Sequence, residues 1–151
     1  MAIDFLIAPS DVELIGAEAL SAIATTFASR IKAKLVEVEI DLIPADEMRN
    51  LNLLHRSVDN VTDVLSFPLQ ETLEGLSDEM PILLGSIVIC VEEAILRGET
   101  LPQLVVHGIL HLLGSDHESN MADWLEIELH ALQELNNQGF DLQGIENWST
   151  N

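Results

Sequence analysis

Apolar and polar residues alternate along several stretches of this chain, and two different periods separate its strands from its helices. Residues 2–7 alternate loosely as a short strand. From Asp11 to about Arg30, Val12, Leu14, Ile15, Ala19, Leu20, Ile23 and Phe27 recur at helical spacing, with Ser10 or Asp11 placed to cap the first turn. Residues 34–43, KLVEVEIDLI, set Val36, Val38 and Ile40 against Glu37, Glu39 and Asp41, a strand with one wet face. Pro44 then opens a helix to about Arg56, with Met48, Leu51 and Leu54 as its apolar stripe.

Residues 63–67, DVLSF, read as a short strand stopped by Pro68, and a polar loop follows over about 69–81. Residues 83–90, LLGSIVIC, are almost continuously apolar, as a central strand requires. A short helix from Glu92 to Arg97 ends at Gly98, and a second, apolar nearly all round, runs from Leu101 to Leu113 and stops at Gly114. Ser119 caps a last amphipathic helix to about Leu135; in the tail beyond, only Trp148 reads as anchored. The order predicts an α+β domain, α/β three-layer-like, with a small, mixed, mostly parallel four-stranded sheet and about five helices, filling residues 1–151 as a single domain.

Composition narrows the class. Hydrophobic residues make up 48%, enough for one packed core. The single cysteine, Cys90, forms no internal disulfide and reads as a small core residue. The N-terminal stretch lacks the basic region of a secretion signal, and no run is long enough to span a bilayer, so the expectation is a cytoplasmic protein without membrane contact. The net charge of -20 argues against broad nucleic-acid binding and makes each of the six basic residues informative. Arg30, Lys32 and Lys34 cluster, and Arg49 and Arg56 share roughly one helical face.

The chemistry concentrates in His107-Gly-Ile-Leu-His111-Leu-Leu-Gly114-Ser-Asp-His117. His107 and His111 lie one helical turn apart on one face. Gly114 breaks the helix so that the chain turns back and His117 meets the same point. Three imidazoles with a fourth position open are the ligand set of a catalytic zinc site, although nickel or another divalent metal also accepts them. His55 and His130 are each isolated on polar helix faces and are read as non-ligands. The spacing equals the metzincin protease pattern H-E-x-x-H-x-x-G-x-x-H, but Gly108 stands where that pattern holds its general-base glutamate. The glycine turns the reading from peptides and, by removing bulk beside the metal, suggests room for a larger substrate.

The same segment, HGILHLLGSDH, closely resembles the H-G-x-L-H-L-x-G-x-D-H signature of the YbeY endoribonucleases, the rRNA maturation factors of bacteria. Leu51-Asn52, His55-Arg56, Asp59 and Thr62-Asp63-Val64-Leu65-Ser66-Phe67-Pro68 resemble that family's L-N-x-x-Y-R-x-x-D-x-x-T-D-V-L-S-F-P, and Leu84-Gly85-Ser86-Ile87-Val88-Ile89 resembles its L-G-D-I-x-I. The resemblance runs from about residue 35 to 135. It implies a zinc-dependent, single-strand-specific endoribonuclease acting in 16S rRNA 3′-end maturation and ribosome quality control. It also implies His107, His111 and His117 as ligands of one Zn2+ and Arg56 as the basic catalytic residue. Its partners would be single-stranded precursor rRNA, the small ribosomal subunit and assembly proteins, with no DNA.

Three positions depart from the pattern: His55 replaces a tyrosine, Ser86 an aspartate, and Ser115 a common aromatic residue. Asp63 reads as a loop cap or as a partner orienting Arg56, and Asp116 as a hydrogen-bond partner of a ligand imidazole or a possible base. A groove built from Arg30, Lys32, Lys34, Arg49 and Arg56 would offset the negative charge locally. Two other classes stay open on the residues alone: a metallopeptidase, and a non-catalytic assembly factor with structural zinc.

Overall fold

Strands form where β-branched and aliphatic residues alternate with acids. The computed structural model describes residues 2–28, 35–70, 79–114 and 121–139. Strand β1 spans Ala2–Leu6, β2 Leu35–Ile43, β3 Val64–Pro68 and β4 Ile82–Cys90. They form one sheet in the order β1-β2-β4-β3. β1 and β4 flank β2 in parallel, and β3 runs antiparallel to β4 at the edge. β4 is central, as its unbroken apolar run predicts, and Cys90 at its end is fully buried.

Six helices accompany the sheet: α1 Pro9–Ile15, α2 Ala17–Ala28, α3 Ala45–Arg56, α4 Val91–Leu96, α5 Leu101–Gly114 and α6 Met121–Asn137. The main core joins Val36, Val38, Ile40, Ile87 and Ile89 of the sheet to α2, α5 and α6. A smaller core on the opposite face joins Met48 of α3 to Leu65, Val88 and Cys90. Helices therefore cover both faces of the sheet, and the three-layer reading holds.

Three helix expectations need correction. The segment from Asp11 to Arg30 is not one helix: Gly16, at φ 106, closes α1 with a backbone bond to Val12 before α2 begins. The first cap is Ala8 with Pro9 at the first turn, not Ser10 or Asp11. In α3, Leu54 is 75% exposed, and the buried positions are Met48 and Asn52. The helix is rotated from the stripe its leucines suggest, because a polar side chain takes an inward position.

The start of α5 carries a reciprocal cap. Thr100 N–H donates to Gln103 Oε1 at 2.8 Å, and Gln103 N–H donates to Thr100 Oγ1 at 3.4 Å. This fixes where the histidine-bearing helix begins. Among the described residues, no helix is long and apolar enough to cross a membrane.

Candidate active site

Helix α5 delivers its histidines because nearly all its other side chains are buried. Leu104, Val105, Val106, Ile109, Leu110 and Leu112 lie in the core, so the helix cannot roll. It packs on β4 and β3. His107 is half-buried and His111 exposed, and their rings meet edge to face with centroids 4.4 Å apart. Their Nε2 atoms are 2.9 Å apart. Two nitrogens of a tetrahedral zinc site lie about 3.3 Å apart when each sits about 2.05 Å from the ion. The pair therefore fits as two donors to one small cation, with a slight opening of the rings. His117 and Asp116 lie outside the described residues, and among the described residues no group of three potential ligands forms.

Gly108 has a role that its position between the two histidines does not reveal. A Cβ there would fall 2.7 Å from Ile87 Cδ1 and Cγ2 and 2.8 Å from Cγ1. The missing side chain lets α5 settle on β4; it opens no space for a substrate. Gly85 does the same from the strand side, where a Cβ would overlap Phe67 O and meet Leu112 Cδ2 at 2.6 Å. The glycines of two separate motifs thus hold one helix–sheet contact.

Arg56 ends α3 and is exposed. The preceding residue, His55, places its ring edge-on to Phe67 of β3, centroids 4.8 Å apart. An aromatic contact thus survives without a tyrosine. Since α5 also packs on β3, the edge strand is the structural link between Arg56 and the histidine pair.

Of the five basic residues expected to form a groove, Arg49 and Arg56 are among the described residues. Arg49 forms a two-point ion pair with Asp59, Nε to Oδ1 at 2.8 Å and a second amine to Oδ2 at 3.1 Å, so its charge is already answered. Asp59 is held below the usual carboxylate range by that bond and charge. Arg97 binds Glu93 at 3.1 Å and Asp63 at 3.4 Å. Arg30, Lys32 and Lys34 lie outside the described residues. Among the described residues, Arg56 alone of the three arginines makes no ion pair. Ser86 donates to Glu39 Oε2 at 3.2 Å, a contact an aspartate would replace with repulsion unless protonated.

Asp63 does not orient Arg56. It accepts from Val64 N–H at 2.8 Å and from the Thr62 hydroxyl at 3.1 Å, and it hydrogen-bonds the carboxyl of Glu99. Burial pushes Asp63 up, but Glu99, the Arg97 charge and the two local donors outweigh it and hold it below the ordinary range. Glu99 moves the opposite way, from 4.5 to about 8, first through burial and then through the bond and charge of Asp63. Its Oε2 is buried without a partner, which further disfavours the charged form. The two carboxyls share one proton, and this ties the loop before α5 to the start of β3.

The linkage has a definite sign. Glu99 keeps its proton in the folded chain up to about pH 8, while the unfolded chain releases it near 4.5. The stability this provides is fully present below pH 4.5 and is lost as pH rises through about 8. Glu99→Gln supplies a permanently neutral donor. Its melting temperature should gain on the native protein from pH 5 to about pH 8 and level off by pH 9. A constant difference across that range would show that the proton is not shared.

Comparisons with known sequences agree on one family. The family model described as endoribonuclease YbeY matches residues 10–137. A Sulfurimonas denitrificans protein of that description is 44% identical over 118 residues, covering 71% of this chain and 79% of its own. One from Rhizorhabdus wittichii is 40% identical over 143 residues, covering 83% and 85%. A solution structure of a Thermotoga maritima protein superimposes with a TM-score of 0.57 at 26% identity, covering 99% of this chain and 95% of that one.

Proposed function

The chain belongs to the YbeY endoribonuclease family, and from that premise we propose that it is a zinc-dependent endoribonuclease that cleaves single-stranded RNA. The carrying observation is the convergence of His107 and His111, Nε2 atoms 2.9 Å apart, on a helix fixed by its own burial. His107 and His111 would hold the ion with His117 as third ligand, and nickel or another divalent cation is the alternative occupant. When bound, the ion supplies Lewis acidity toward a phosphoryl oxygen and a more acidic water.

The chain's own residues do the rest. Arg56 donates two parallel N–H groups to the non-bridging oxygens of the scissile phosphate and stabilises the charge that grows there. Its lack of an acid partner among the described residues leaves that geometry available. Asp116 is the residue proposed to orient a ligand imidazole or accept a proton. Arg30, Lys32 and Lys34 are the remaining cations for distal phosphates, whereas Arg49 is committed to Asp59.

The setting proposed is the cytoplasm, the substrate precursor 16S rRNA near its 3′ end, and the wider role ribosome quality control. A charge of -20 repels bare RNA, so the small ribosomal subunit and its assembly proteins would supply much of the recruitment. DNA and membranes have no place in this scheme.

The test is metal analysis paired with cleavage of a single-stranded RNA. The native protein should carry close to one zinc per chain and cut the RNA. His111→Ala should lose metal and lower cleavage by at least about 100-fold. Undiminished cleavage by metal-free protein would overturn the proposal. Products ending in 2′,3′-cyclic phosphate would assign the attack to the RNA 2′-hydroxyl.

A further inference from the structure

Asn52 is buried in α3, 2% exposed, where an apolar residue would serve packing better. Its Nδ2 donates to the carbonyl of Asn60 at 2.8 Å, but its Oδ1 is buried with no hydrogen-bond partner. Leaving such a group unsatisfied costs stability, so its presence calls for a function.

The bond to Asn60 ties α3 to the segment that follows Arg56. That segment starts with a tight cap: Ser57 takes the left-handed conformation, φ 60 and ψ 30, with its N–H bonded to Leu53 O, while Val58 N–H donates to Asn52 O. Ser57 is the one described residue other than glycine with positive φ, a conformation that glycine or asparagine adopts more readily. A second tie, Arg49 to Asp59, pins the same segment to the same helix from outside. The segment after Arg56 is therefore tied back to α3 by one buried amide and one exposed ion pair.

We infer that Asn52 is a positioning residue for Arg56: by bonding Asn60 it fixes the turn that ends α3 and so the direction from which the Arg56 guanidinium meets a phosphate. The inference rests on the proposed role of Arg56. Asn52 touches no substrate, because it is buried. Without the Asn60 bond the turn would still form, but the arginine would sample directions that waste its bidentate grip. The loss should fall on kcat, since the charge that attracts RNA is unchanged.

The experiment compares Asn52→Leu, Arg56→Ala and the double variant, each fully metal-loaded, under single-turnover conditions on one single-stranded RNA. Asn52→Leu fills the site with apolar volume and should melt at or above the native temperature. Its kcat should fall about tenfold with KM within about twofold, the size expected from a modest loss of alignment. Placed in the Arg56→Ala background, the same change should cost nothing further. Asn52→Ala serves in the same cycle if leucine does not fit.

Full activity of a folded Asn52→Leu protein, with Arg56→Ala impaired, would overturn the inference and leave the role of Arg56 standing. So would an equal loss from Asn52→Leu in both backgrounds, which would mean that Asn52 acts elsewhere. Full activity of Arg56→Ala would overturn the assignment of Arg56 and this inference with it.

Discussion

Replacing Arg56 with alanine should lower kcat/KM for single-stranded RNA by about 100- to 1,000-fold, the usual effect of removing one donor aimed at charge developing in a transition state. The side chain is exposed and makes no ion pair among the described residues, so folding loses little by its removal. The stability change should stay within about 0.5 kcal/mol, as for a surface substitution without structural partners. Activity and stability therefore separate cleanly at this position. Arg56→Lys keeps the charge but not the planar fork, and should recover only part of the loss. The slope of log K against log salt for RNA binding should become shallower by about one in Arg56→Ala, because one phosphate contact disappears. An unaltered kcat/KM would remove Arg56 from the mechanism, and an unaltered slope would remove it from phosphate binding.

The sheet was readable in the sequence because each strand has a single physical demand. β2 alternates because one face is wet, and β4 is continuously apolar because both faces are covered. The histidine pair was readable because helical spacing alone brings positions four apart together. Less legible were features that depend on a neighbour distant in the chain. Leu54 joins the apolar stripe on paper but is exposed, because the buried position next to it belongs to Asn52, whose partner Asn60 lies eight residues on. Arg49 looks available for RNA until Asp59 folds back onto it. Asp63 looks like a partner for Arg56 until Glu99 and Arg97 arrive from the loop before α5. A polar residue at the inward face of an amphipathic helix was the signal that would have marked Asn52. Nothing local marks Glu99, whose unusual proton affinity comes from burial and a carboxyl 36 positions away. His117, Asp116, Arg30, Lys32 and Lys34 lie outside the described residues, so the third ligand and the distal cations rest on the motif and the charge pattern.

The largest stability effect near the site should come from adding a single carbon. Gly108→Ala would ordinarily strengthen a helix interior by about 1 kcal/mol. Here the new Cβ would overlap three carbons of Ile87, which is fully buried in the central strand. Helix α5 must rise from the sheet or Ile87 must leave its rotamer, an overpacking cost of about 1–3 kcal/mol beyond the propensity gain. For a domain of this size that lowers the melting temperature by roughly 3–10 °C. Because His107 precedes the glycine, the same displacement should disturb the histidine pair and weaken the metal binding proposed for it. The cause can be isolated through its partner. Ile87→Ala removes all three clashing atoms, so Gly108→Ala should cost about 1–2 kcal/mol less in that background than in the native one. Ile87→Val keeps both γ carbons and should relieve much less. Equal costs in the native and Ile87→Ala backgrounds would show that the contact does not set the helix height. The same geometry bears on the peptidase alternative. The position where the protease pattern carries its glutamate faces β4 here, so a carboxylate placed there would enter the core and could not serve as the proton acceptor beside the histidines. The glycine that stands where a protease would hold its glutamate and the glycine that seats the histidine-bearing helix are one residue, and packing alone is enough to require it.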